Sequence, residues 1–311
     1  MTFAKQEENK DIIQVENLVK DYGHGRGVFD VSFVVKKGEV FGFLGPNGAG
    51  KSTTIRHIMG FSKPQSGQTK VFGKESFSSY YEILDNVGYL PGEIALPDGL
   101  TGWQFIEMMA KLRNNKNSDM LNHLLERFKL DPDVETKRMS LGDKRKLAII
   151  TAFMNDPDVL VLDEPTSGLD PVMQNEFINF IIEEKEKGKT ILLSSHIFSE
   201  VEATCDRIAI IKDGKIVSSV NTQDIKHNQN KIYKIDFASA KERENFEKKC
   251  HFEFETTSEN QVTVKVHDSN INQLTTLVAE FKITNFRQIK ETLQGYFMNF
   301  YKEDRDFGGQ L

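Results

Sequence analysis

The sequence holds only two cysteines, Cys205 and Cys250, far apart and with neither a C-x-x-C partner nor a histidine at zinc spacing. That excludes a disulfide scaffold and a cysteine-ligated metal centre, and it predicts two reduced thiols. Long hydrophobic runs are missing too. The longest, at 147–150 and 159–162, fall far short of the roughly 18 to 20 apolar residues that cross a bilayer, so the chain is not expected to span one itself. Residues 1–11 alternate polar and charged side chains and lack the apolar centre of a secretory signal, which predicts a cytoplasmic chain. Nor is there an excess of positive charge: 40 Lys+Arg stand against 46 Asp+Glu, a formal net charge of -6. A nucleic-acid polycation is excluded, and no nucleic-acid partner is expected.

What is present is a folding chain. Apolar residues make up 38% of the 311 and charged residues 28%, enough for a packed core, and the length suggests two domains. No half of the chain repeats the other, and there is no heptad run. From 12 to 220, β-rich apolar runs precede amphipathic helical stretches, the sign of an α/β domain around a largely buried sheet. Strands are expected at 40–44, 159–162, 190–194 and 208–211, continuous apolar runs suited to burial on both faces. A helix after Gly168 is well marked, with Asp170 to cap it, Pro171 in its first turn and Gly188 to end it. A further helix from about Gly102 carries Trp103, Phe105, Ile106, Met109 and Leu112 on one face. Residues 221–230 read as a polar, aperiodic linker. Beyond it, residues 231–311 give the order β-α-β-β-α-β, a small ferredoxin-like α+β domain with one more helix at 291–301.

The chemistry is concentrated in the first domain. Gly45-Pro-Asn-Gly-Ala-Gly-Lys-Ser52 fits the phosphate-loop pattern G-x-x-x-x-G-K-[ST], and it lies between an expected strand and an expected helix, as that loop must. Its glycines let consecutive backbone N–H groups curl around a phosphate at the positive end of the helix. Gly45, Pro46, Asn47, Gly48, Ala49, Gly50, Lys51, Ser52 and Thr53 are thus candidate nucleotide contacts, with Lys51 reaching the β and γ oxygens and Ser52 a ligand for Mg²⁺. Leu160-Val-Leu-Asp-Glu164 is an apolar strand ending in two carboxylates. Asp163 can hold Mg²⁺, and Glu164 is placed to polarise an attacking water. The phosphate loop is specific in this context, whereas a pair of acids at a strand end is weak evidence alone and becomes strong beside the loop; together they predict Mg²⁺-dependent chemistry at a bound phosphate.

With these two motifs the sequence resembles the ATP-binding subunits of ABC transporters, over residues 12 to about 220. Ser167-Gly-Leu-Asp170 is similar to the family's D-loop, which puts Asp170 among the nucleotide-binding residues. His196, in Leu193-Ser-Ser-His196, resembles its switch histidine, and Tyr22 the aromatic that stacks on adenine. Met139-Ser-Leu-Gly-Asp143 is similar to the family signature, implying that Ser140 and Gly142 clamp ATP. The resemblance implies a P-loop ATPase cassette with a helical subdomain. It also implies head-to-tail closure of two such subunits over two ATP molecules, as a homodimer or with a paralogue, and hydrolysis supported by Glu164 and His196. The partners it implies are membrane-spanning permease subunits on separate chains, with this chain on the inner face of the membrane.

Two departures stand out. Gly92 occupies the family's glutamine position in Gly88-Tyr-Leu-Pro-Gly-Glu93, so either Glu93 stands in as a metal or water ligand or coupling to the membrane partner is tuned differently. Leu141 and Asp143 replace a glycine and the glutamine of the signature. The short helical insert and the tail resemble bacterial exporters of drugs, antimicrobial peptides or lipids. The competing expectations are a soluble ABC-type ATPase acting on translation or DNA, disfavoured by the single cassette and the lack of coiled coil, and a non-transport switch whose tail senses a ligand.

Overall fold

The computed structural model describes residues 11–112, 118–226, 230–289 and 293–302. The chain divides into two compact units, Met1–Thr222 and Gln223–Leu311. The N-terminal ten residues, residues 227–229 of the expected linker and the first two residues of the last expected helix lie outside the described residues.

The first unit is built on a six-stranded sheet in the order Lys215–Asn221, Arg207–Lys212, Val40–Leu44, Thr190–Ser195, Val159–Asp163, Val87–Leu90. The first pair is antiparallel and the remaining neighbours are parallel. Val40–Leu44, Val159–Asp163 and Thr190–Ser195 are buried at every residue, which is why their sequences are apolar runs and not alternations. Their register matters for everything that follows. Leu44 pairs with Ser195, Asp163 with Ser194 and Leu90 with Leu162, so four loops leave the sheet side by side at the carboxyl ends of its strands.

A second, antiparallel sheet joins Gly27–Lys36, Asp11–Asp21, Ser66–Val71 and Lys74–Glu75 in that order. The expected α/β alternation does not include it. Its longest strand carries register shifts between Val15, Leu18 and Lys20, and each shift breaks the period-two alternation by which a half-buried strand is read. The helical stretch contains Gly102–Leu112 and Ser118–Arg127, ahead of the helix Leu141–Phe153. Phe105 and Ile106 are buried there while Trp103 and Leu112 stay exposed, so the apolar face seen in the sequence is part core and part surface.

Helices Ser118–Arg127, Leu141–Phe153 and Pro171–Glu186 lie beside rings that meet in one place. Phe180 contacts Phe153 at 4.8 Å and Phe128 at 5.6 Å between ring centroids. Arg127 covers Phe180 at 4.9 Å and pairs with Glu176 and Glu183, so an otherwise costly half-buried charge is both stacked and paired.

The second unit has the order β-α-β-β-α-β, from Asn230–Phe237 through Ala240–Lys249, Glu253–Ser258, Gln261–His267 and Ile271–Val278 to Ile283–Ile289, followed by Leu293–Lys302. Its four strands are all antiparallel, in the order Glu253–Ser258, Gln261–His267, Asn230–Phe237, Ile283–Ile289, the arrangement of a split β-α-β fold. Ile235, Phe237, Phe246, Val262, Val264 and Leu274 form a core of its own. The expected linker at 221–230 is corrected in part: Asn221 ends a strand and Thr222–Lys226 is a helix. Thr222 is buried and held to the carbonyls of Cys205 and Asp206, and a five-residue helix anchored by such tertiary contacts is too short to show a period in the sequence.

Phe180→Ala should lower the unfolding free energy of the first unit by about 3–5 kcal/mol, because two ring contacts and the Arg127 stack are lost around a cavity. Urea unfolding followed by far-ultraviolet circular dichroism checks this, and a loss below about 1 kcal/mol would contradict the packing described.

Candidate functional site

Strand Val40–Leu44 runs straight into the Gly45 to Ser52 loop, and helix Lys51–Ile58 begins at its end. Gly50 caps that helix with φ of 110°, a left-handed backbone that a residue with a Cβ adopts only under strain, and an added Cβ would come within 2.7 Å of Val28. Gly48 also has positive φ, at 83°. The loop therefore curls as a phosphate cradle must, and the first helical turn offers it free N–H groups.

Lys51 is only 5% exposed, and its ammonium is fully engaged. It donates to the carbonyls of Gly45 at 2.7 Å and Pro46 at 3.1 Å, and it forms an ion pair with Glu164 Oε1 at 3.0 Å. The other Glu164 oxygen accepts from His196 Nδ1 at 2.6 Å, since a carboxylate oxygen can only accept there. Lys51, Glu164 and His196 thus form one continuous chain across three loops that follow three neighbouring strands. Glu164 is held in place by a φ of 50° and by its own N–H, which donates to the Ser194 carbonyl at 3.1 Å and lies 3.2 Å from the Ser194 hydroxyl.

Asp163 is buried at the end of its strand, where its Oδ1 accepts from the Ser194 hydroxyl. Its Oδ2 lies beside Gly92, where an added Cβ would be 2.9 Å away. Ser52 is exposed on the adjoining helical turn. A hydroxyl and a carboxylate, both hard oxygen donors, fit a divalent cation of the Mg²⁺ type. Glu93, by contrast, is exposed and makes no hydrogen bond or ion pair among the described residues. The side of the loop that faces Asp163 is Gly92.

The remaining candidates lie around this centre or away from it. Tyr22 is 55% exposed in the loop before Gly27, with Lys20 over its ring at 5.7 Å. Gly27 and Val28 in turn back the phosphate loop at Gly50. Asp170 caps helix Pro171–Glu186, its Oδ1 accepting from the N–H groups of Val172 and Met173. Ser140 caps helix Leu141–Phe153: its hydroxyl accepts from the Asp143 N–H at 3.1 Å and donates to the Asp143 carboxylate at 2.7 Å. The signature's Asp143 is therefore engaged with the serine it follows. Gly142 lies against the Gly168 carbonyl and Leu141 covers Gly168, so the signature and the 164–170 loop touch within one chain.

Two residues of this region have no motif in the sequence. Arg145, 3% exposed, reaches across from helix Leu141–Phe153 to the 91–92 and 167 carbonyls. Glu200 is buried in helix Phe198–Thr204, where it accepts from the Ser195 hydroxyl at 2.6 Å. Burial, reinforced by the charge of Glu164 and opposed by bonds from Ser195 and Thr166, pushes the Glu200 carboxyl up to about 7. Their only signal in the sequence is position, a charged residue inside an otherwise apolar helix face. Cys205 is buried with its thiol pushed up to about 12 by burial, an inert group.

The comparisons with known proteins agree with this geometry. Residues 28–167 match the ABC transporter family. The bacitracin transport ATP-binding protein BcrA of Bacillus licheniformis is 36% identical over 232 residues, covering 73% of this chain and 75% of that one. The protein of the same name from Enterococcus faecalis is 29% identical over 92% of this chain and 95% of its own length, a match that reaches into the second unit. A solved ATP-binding subunit of an ABC transporter superposes with a TM-score of 0.64 at 31% identity, covering 70% of this chain and 92% of that chain. The chain belongs to the ABC transporter ATP-binding proteins: it is a nucleotide-binding ATPase cassette of a transporter. Among the described residues no helix is long and apolar enough to cross a membrane.

The Glu200 carboxyl titrates higher folded than unfolded, so its contribution to stability is full below about pH 4.5 and is lost as pH rises toward 7. Glu200→Gln should therefore flatten the fall in melting temperature between pH 5 and pH 7.5 relative to the wild type, as read by differential scanning calorimetry. Parallel curves for the two proteins would contradict this.

Proposed function

We propose that this chain is the ATP-hydrolysing subunit of a bacterial exporter, in which Mg²⁺-dependent turnover at the site described above drives a separate membrane-spanning permease. The observation that carries the reading is the Lys51–Glu164–His196 chain at the carboxyl ends of the central strands. Glu164 takes the part of general base, oriented by His196 on one oxygen and released from Lys51 on the other when a phosphate claims the ammonium. The 45–53 loop, with Gly45, Pro46, Asn47, Gly48, Ala49, Gly50, Lys51, Ser52 and Thr53, holds the phosphates, and Tyr22 stacks against the base. Ser52 and Asp163 hold the Mg²⁺, which would neutralise phosphate charge when bound.

The hydroxyl of Ser140 is bonded within its own helix turn and Gly142 rests on its own 164–170 loop, so neither serves the phosphate loop of the same chain. Both sit at a helix N-terminus, the positive end that suits a nucleotide brought by a second subunit. A dimer closing head to tail supplies that second subunit, with Asp170 holding the connecting loop. We assign residues 12–220 to the cassette and 231–311 to an accessory domain, with the subunit held at the inner face of the membrane by its permease. The cargo we propose is a peptide, drug or lipid, a reading supported for the first two by relatives named for bacitracin transport and for multidrug transport.

Lys51→Ala and Glu164→Gln should each lower ATP turnover by about 10²–10⁴-fold, the range for loss of a positioned acid–base group or charge clamp. Glu164→Gln should also accumulate as a dimer in the presence of ATP, measured by size-exclusion chromatography with light scattering. Wild-type turnover in either variant would overturn the assignment.

A further inference from the structure

We infer that Arg145 is a positioning residue that locks the Pro91–Gly92 turn and the Ser167 loop into one unit, so that the helix bearing Ser140 at its start sets the placement of Asp163 and Glu164. The inference rests on the ATPase reading above and deepens it. Three donors of one guanidinium reach three main-chain carbonyls: Nε to Ser167 at 2.9 Å, Nη1 to Pro91 at 2.9 Å and Nη2 to Gly92 at 2.7 Å. None goes to a carboxylate. Such a residue does not serve as an ordinary ion pair.

The two loops it joins are those that frame the reacting groups. Pro91 and Gly92 follow strand Val87–Leu90, and Ser167 follows strand Val159–Asp163, its neighbour in the sheet. Gly92 abuts Asp163 so closely that even a Cβ would crowd its carboxylate, so wherever the 91–92 turn goes the Asp163 side chain is constrained to fit. Ser167 lies one turn past Glu164, its N–H donating to the Glu164 carbonyl at 3.1 Å. Holding the Ser167 carbonyl therefore holds the turn that carries Glu164 in its left-handed conformation.

The energetics suit a rigid link. Burial works against the guanidinium's charge, and the nearby Asp163 and Glu164 carboxylates favour it. The fork is planar, so its three bonds fix the relative position of their acceptors as well as their distance. Leu141 over Gly168 and Gly142 against the Gly168 carbonyl add a second contact between the same helix and the same loop. A shift of the signature helix, which is where a second subunit would press, is thereby transmitted to the Asp163–Glu164 end of the site.

The test uses the full chain with Arg145→Lys, which keeps the charge but loses the fork, and Arg145→Gln, which loses both. ATP turnover is measured with kcat and KM separated, and nucleotide affinity with a fluorescent ATP analogue. Arg145→Lys should lower kcat at least about ten-fold while KM and affinity stay within about two-fold, since misplacement of the order of 1 Å can cost about a hundred-fold. Unchanged kcat per folded protein, or a rise in KM at constant kcat, would overturn the role, as would failure of both variants to fold, which would make Arg145 a core residue only. Hydrogen exchange needs no turnover: amides of 92–94 and 166–169 should exchange faster in Arg145→Lys while helix Pro171–Glu186 is unchanged. Faster exchange in a chain whose wild type does not hydrolyse ATP would keep the link and reject the ATPase reading, whereas unchanged exchange rejects the link.

Discussion

A lysine ammonium buried at the start of a helix must find acceptors and a countercharge, and the site is organised around how Lys51 meets that demand. Two acceptors come from the loop it belongs to, at Gly45 and Pro46. The countercharge is Glu164, whose Oε1 lies 3.0 Å from the ammonium as an ion pair. An uncompensated ammonium in that position would be strongly destabilising, so the carboxylate is drawn toward the phosphate loop. His196 then bonds the oxygen of Glu164 that Lys51 leaves, and the two ends of the site become one unit. On the function proposed, a phosphate entering the cradle competes with Glu164 for the same ammonium and frees its carboxylate to act as the general base.

Strand register makes this possible. Because Leu44 pairs with Ser195 and Asp163 with Ser194, the residues that follow each strand end are neighbours without any long connection. Three strands of the parallel sheet are buried at every residue, so the strand ends are held inside a packed core on both faces. Ser194 completes the arrangement: its hydroxyl donates to Asp163 and its carbonyl accepts from the Glu164 N–H, so one residue holds the Asp163 carboxylate and the Glu164 main chain.

The loop at residues 45–52 was readable because its conformation is written in consecutive residues. Gly50 and Gly48 need positive φ, Lys51 and Ser52 must open the helix, and each requirement restricts the residue at one position. Glu164 was readable as the last residue of an apolar strand, though not its pairing with Lys51, which depends on register. Arg145 and Glu200 were not readable, since their partners are main-chain carbonyls and a hydroxyl from distant loops, and a carbonyl leaves no mark on the residue that carries it. The same limit hid the antiparallel sheet, where shifts at Val15 and Leu18 spoil the alternation, and the helix Thr222–Lys226, whose hold on Cys205 and Asp206 is tertiary. Asp143 departs from the signature, and its carboxylate accepts from the hydroxyl of Ser140, the residue that caps the helix.

The central claim is that Glu164 and a nucleotide phosphate compete for the Lys51 ammonium. ATP affinity of Glu164→Gln against wild type, measured by isothermal titration calorimetry at low temperature, tests it most directly. Removing the competing charge should tighten ATP binding by at least about three-fold, a modest fraction of the free energy of a half-buried ion pair. Equal or weaker affinity in the variant would contradict the account.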